Sequence, residues 1–103
     1  MRNIKLIIEY DGTRYQGWQQ PGKEDSPNTI LGRITSVLKK MTMEELTVYS
    51  GLRTETGVHA FCQTINFKTN GNFSADSFKH YLNKYLPMDI AVVDACEVPE
   101  RFH

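Results

Sequence analysis

Between Ser50 and Ala60 the chain reads Ser-Gly-Leu-Arg-Thr-Glu-Thr-Gly-Val-His-Ala. Arg53, Thr54, Glu55, Gly57 and His59 put a guanidinium, a hydroxyl, a carboxylate, a glycine and an imidazole within seven residues. A turn with only a structural task needs none of that charge. Arg53 and Glu55 are two apart, so in extended or tightly looped backbone their side chains leave on one side. A carboxylate held ionised by a neighbouring guanidinium can serve as nucleophile or general base. The bland alternative is an exposed ion pair worth about 0–1 kcal/mol. The density of polar groups and the crowding of this end of the molecule favour chemistry. Gly57 allows a positive φ or close approach of a ligand. His59 can donate to a phosphate or orient the carboxylate, although a histidine at a strand edge is more often a local backbone partner. His59 and Cys62 form an H-x-x-C pair, but no second pair stands at ligand spacing, so no metal site is expected.

A second chemical stretch runs Tyr10-Asp11-Gly12-Thr13-Arg14-Tyr15-Gln16-Gly17-Trp18-Gln19. Asp11-Gly12 closes a turn. Tyr15 and Trp18 offer flat faces, and Arg14 and Gln19 offer donors. Aromatics interleaved with polar donors suit a single-stranded or flipped base. Trp18 taken alone is equally suited to plugging the top of the core.

The elements that must position these residues follow from periodicity and punctuation. Residues 3–10 (NIKLIIEY) read as a β-branched-rich strand. Residues 11–27 hold three glycines, two prolines and no apolar period, so they form a long loop. Asn28 or Thr29 caps a helix over 30–41, with Ile30, Ile34, Val37, Leu38 and Met41 on one face. Gly32 inside it costs up to about 1 kcal/mol against alanine. Strands follow at 46–50 (LTVYS) and 60–68 (AFCQTINFK), and a polar turn at Thr69–Asn72. Ser74 caps a second helix with Phe78, Leu82 and Tyr85 or Leu86 buried, and Pro87 stops it. The last strand is 90–98 (IAVVDACEV).

The order β-α-β-β-α-β predicts an α+β, ferredoxin-like domain spanning residues 1–103. Right-handed crossovers and a central hairpin give a four-stranded antiparallel sheet of order 4-1-3-2, with two helices on one face. In that topology the loop after the first strand, the loop joining the second and third, and the 87–89 connection share one end. Asp11–Gln20 and Arg53–His59 are therefore expected to meet. An RNA-recognition-motif reading of the same order needs exposed aromatics on strands one and three. Strand three instead presents Phe61, Gln63, Ile65 and Phe67 on one face and Cys62, Thr64 and Asn66 on the other, which lacks that signature.

Composition sets the outer bounds. With 103 residues, 40% hydrophobic, the chain is one globular domain. Twelve basic and twelve acidic residues cancel, so any RNA contact is local rather than spread over the surface. The first apolar run is too short and too charged for a signal peptide or membrane span. Two cysteines without CxxC spacing suggest the cytoplasm, with both thiols reduced.

These motifs together resemble the bacterial tRNA pseudouridine synthase A family. The resemblance rests on Ile8-Glu9-Tyr10-Asp11-Gly12-Thr13 with Gly17-Trp18-Gln19, and on Arg53-Thr54-Glu55-Thr56-Gly57-Val58-His59-Ala60. Leu86-Pro87 with Asp89-Ile90, and the ending Val98-Pro99-Glu100-Arg101-Phe102-His103, belong to it too. It covers nearly the whole chain in order. It implies isomerisation of uridine to pseudouridine in the anticodon arm of tRNA, without cofactor or metal. It also implies a homodimer whose subunits have two related halves, of which this sequence covers the first. Glu55 then stands in the nucleophile position with Arg53 as its partner. Tyr10, Asp11, Arg14, Trp18, Gln19, Thr54, Gly57 and His59 form the candidate substrate-binding set. The family pattern has aspartate where this chain has Glu55, and usually glycine where it has Leu52. The alternative reading is therefore a catalytically degenerate tRNA-binding paralogue. A stand-alone ferredoxin-like interaction module is a third.

Overall fold

The computed structural model describes residues 1–13, 15, 18, 28–56 and 60–101, with the backbone only at 52–56, 60 and 61. The elements follow in the expected order: β1 (Arg2–Tyr10), α1 (Ile30–Thr42), β2 (Val48–Thr56), β3 (Ala60–Thr69), α2 (Ala75–Tyr85) and β4 (Ile90–Val98). The sheet runs β2-β3-β1-β4 with every neighbouring pair antiparallel. This is the α+β order expected from the sequence, with β1 and β3 central.

Alternation decides the two faces. Along β1, Ile4, Leu6, Ile8 and Tyr10 are buried beneath the helices, while Lys5, Ile7 and Glu9 point the other way. β3 repeats the pattern with Ile65 and Phe67, both fully buried. Each helix is amphipathic and covers this one face. α1 contributes Ile30, Leu31, Ile34 and Leu38, and α2 contributes Phe78 and Leu82 to the same core. Phe67 and Phe78 meet edge to face at 5.1 Å between ring centroids.

The caps act as their residue types suggest. Thr29 Oγ1 accepts the Gly32 N–H at 3.0 Å, and Ser74 Oγ accepts the Ser77 N–H at 3.1 Å. Between Tyr85 and Leu86 the structure chooses Leu86, which is buried, whereas Tyr85 is 56% exposed. On the open face of the sheet, Asn66 Nδ2 donates to Asn3 Oδ1 at 3.1 Å, and Asn3 Nδ2 reaches the Pro99 carbonyl at 3.1 Å.

One boundary needs correction. The second strand was expected at 46–50, but β2 begins at Val48 and continues to Thr56. Gly51 and the polar run after it read as a loop, because an edge strand with one covered face carries no continuous apolar signal. Pairing with β3 supplies the backbone hydrogen bonds that keep it extended.

β4 carries an extra residue opposite β1. Ile7 pairs with Asp94 and Ile8 with Val92, leaving Val93 outside the ladder. Asn83 of α2 holds this irregularity with two bonds: its Nδ2 donates to the Val92 carbonyl at 3.0 Å, and its Oδ1 accepts the Val92 N–H at 2.7 Å. Replacing Asn83 with alanine removes both. The expected loss is about 1–2 kcal/mol, read as a fall in the thermal unfolding midpoint by circular dichroism. An unchanged midpoint would show that water serves Val92 equally well.

Candidate active site at one end of the sheet

The candidate site is built on a single row across the sheet. Ile90 of β4 pairs with Tyr10, Tyr10 pairs with Phe61, and Phe61 pairs with Glu55. Glu55 is thus carried to the same end as the start of the loop after β1, two strand spacings or about 10 Å away along the row. Arg53 pairs with Gln63 and Thr54 with Cys62, one step further into the sheet.

The loop after β1 is tied down at this end by several bonds. Asp11 N–H donates to the Asp89 carbonyl at 2.9 Å, joining the end of β1 to the connection that enters β4. Tyr15 Oη donates to Asp89 Oδ1 at 2.8 Å. Asp11 folds its carboxylate back onto Thr13, whose N–H lies 3.0 Å from Oδ1 and whose hydroxyl also donates to it. This is the turn chemistry that Asp-Gly suggested. The Trp18 carbonyl accepts the Leu31 N–H at 2.8 Å, which fixes the start of α1. Trp18 Nε1 donates to Ser50 Oγ at 2.9 Å, reaching β2. Among the described residues, the loop after β1 meets the connection into β4 at Asp89 and β2 at Ser50, while residues 57–59 of the third expected segment lie outside the described residues.

The structure separates the candidates by position. Tyr10 and Trp18 lie within the core, 3% and 9% exposed, with ring centroids 5.3 Å apart. Trp18 therefore takes the plugging role that competed with base stacking. Asp11 is exposed at the rim. Arg53, Thr54 and Glu55 are placed by backbone register alone, and Arg14, Gln19, Gly57 and His59 lie outside the described residues. A shallow cavity of about 270 Å³ between the ends of β1 and β4 is lined by Glu9, Tyr10, Asp11, Met88, Asp89 and Ala91. Its three carboxylates make that rim repulsive to phosphate.

Sequence reading left Ser50, Asp89 and Gln63 out of the site. Asp89 carried only its place before a strand and in the Asp89-Ile90 part of the resemblance. Gln63 did carry one, as an amide in the row of Phe61, Ile65 and Phe67. Among the described residues, no group of three His, Cys, Asp or Glu side chains is placed to hold a metal ion. Neither Cys62 nor Cys96 is in a disulfide, and no described helix is long and apolar enough to cross a membrane.

A family profile described as tRNA pseudouridine synthase matches residues 6–103. The chain belongs to that family. It is 47% identical over 103 residues to a tRNA pseudouridine synthase A of Bacillus sp. (strain KSM-64), and 48% identical over 103 residues to a tRNA pseudouridine synthase A 2 of Clostridium perfringens. A tRNA pseudouridine synthase A 2 of Clostridium tetani is 43% identical over 102 residues. The alignments cover 99–100% of this chain but 41% of each relative, so the chain spans about two fifths of their length.

Proposed function

We propose that this chain is the part of a tRNA pseudouridine synthase that carries the catalytic carboxylate, with Glu55 in that role and Arg53 as its partner. The observation that carries the reading is the family match over residues 6–103, which includes the Arg53–Ala60 motif. The sheet row that brings Glu55 to the end shared with Asp11 and Asp89 supports it.

The reaction breaks the N1–C1′ bond of uridine, turns the uracil and joins C5 to C1′. The C5 proton leaves and N1 gains one, so nothing is oxidised or reduced. A carboxylate serves this chemistry by attacking base or sugar, or by moving the proton. The target nucleotide must first leave its stack, and a guanidinium beside the carboxylate can fill the vacated space or hold phosphate. Asp11, Arg14, Gln19, Thr54, Gly57 and His59 are the remaining candidates for contact with tRNA, with Tyr10 and Trp18 supporting them from beneath. The substrate is the anticodon arm of tRNA, in the cytoplasm. The remaining length of the relatives corresponds to a second, related half that completes the cleft, in a homodimeric protein.

The test is mass-spectrometric detection of pseudouridine in unmodified tRNA incubated with the full-length protein. Product is expected at uridines of the anticodon arm. Binding of tRNA without product would sink the enzymatic reading and leave a tRNA-binding paralogue.

A further inference from the structure

The β2–β3 ladder slips by one residue just before the candidate catalytic pair. Ser50 pairs with Ile65 and Arg53 with Gln63, so Gly51 and Leu52 together face Thr64. Side chains alternate along a strand, and one extra residue exchanges the faces of everything beyond it. Ile65 and Phe67 point beneath the helices, and Gln63 shares their row parity at 2% exposure. Arg53 opposite Gln63 and Glu55 opposite Phe61 therefore occupy helix-side rows. Were the ladder to run one-to-one from Ser50 without the slip, Arg53 would stand opposite Cys62 and Glu55 opposite Ala60, on the open face.

We propose that the Gly51–Leu52 bulge assigns Arg53 and Glu55 to the helix-side rows of the sheet end, and that Gln63 is the positioning residue that holds the bulge in place. Two bonds clamp it. Ser50, the residue before the bulge, receives the indole N–H of Trp18 at 2.9 Å. Gln63 Nε2 donates to the Gly51 carbonyl. An amide buried in an apolar row is costly unless it is bonded, and this carbonyl accounts for its presence there. Gly51 suits the bulge because the backbones approach closely. A Cβ at this position would lie 3.1 Å from the Thr64 carbonyl oxygen and 3.4 Å from Thr64 Cβ. The consequence for activity rests on the proposed function, but the register claim does not.

Cross-strand nuclear Overhauser contacts in the isotopically labelled chain measure the register without any activity. Contacts of Arg53 with Gln63 and of Glu55 with Phe61 are expected. Contacts of Arg53 with Cys62 and of Glu55 with Ala60 would overturn the proposal. Deleting Leu52 is expected to remove the slip and keep these contacts, with Gly51 now directly opposite Thr64, and a deletion that folds with Arg53 opposite Cys62 also overturns it. Should the deletion fail to fold, the wild-type pattern still decides. In the full-length protein, Gln63→Leu is expected to lower kcat by roughly a hundredfold, as displacement by about 1 Å would, with tRNA affinity nearly unchanged below the melting temperature. An unchanged kcat would remove Gln63 from the positioning role. A full-length protein that forms no pseudouridine would overturn the functional reading, while the contacts still decide the register.

Discussion

Replacing Glu55 with alanine is expected to reduce pseudouridine formation by the full-length protein at least about a thousandfold, within the range that a positioned acid, base or nucleophile contributes. The fold should survive, because residue 55 stands near the end of edge strand β2, and its ladder bonds are made by the backbone. Equal far-ultraviolet circular dichroism and equal tRNA affinity would show that only chemistry was lost. The informative companion is Glu55→Asp, which draws the carboxylate back by one bond, about 1.5 Å. A site fitted to glutamate should lose on the order of a hundredfold in kcat. A rise in activity on Glu55→Asp would mean that the natural glutamate is the misplaced residue. The chain would then be better read as a degenerate relative that binds tRNA. Wild-type activity in Glu55→Ala would refute the assignment outright.

The second large effect is structural. Trp18→Ala is expected to destabilise the protein by roughly 3–5 kcal/mol, the range for truncating a buried aromatic. The indole packs on Tyr10 and donates to Ser50. One substitution therefore leaves a cavity and loosens the tie between the loop after β1 and β2. For a domain of this size each kcal/mol moves the melting point by about 4–8 °C, so the change is easily read. Normal melting combined with about tenfold weaker tRNA binding would assign the indole to base stacking instead, since stacking on one base is worth about 1–3 kcal/mol. The core role would then be wrong.

Both effects turn on distinctions that one-dimensional reading handles unequally. Helix α1 was legible because Thr29, Ile34 and Leu38 declare a cap and a helical stripe within a single segment. Strands β1, β3 and β4 were legible for the same local reason, each being rich in β-branched or alternating apolar residues. β2 was cut short because its second half, Gly51–Thr56, is polar and begins with a glycine. Only pairing with β3 makes that half a strand. Trp18 could not be placed from its neighbours, since an indole suits a core or a base equally well. Its burial is a property of Tyr10, Ser50 and Leu31 arriving together from three elements.

The sequence by itself determined the order of the elements, the family, and the presence of Arg53 and Glu55 two residues apart. These are patterns carried by spacing along one segment. The tertiary structure alone decided which residues of β3 the backbone of that pair stands opposite, Gln63 and Phe61. Register is a relation between two strands, and a one-residue slip opposite Thr64 exchanges the faces while leaving local spacing untouched.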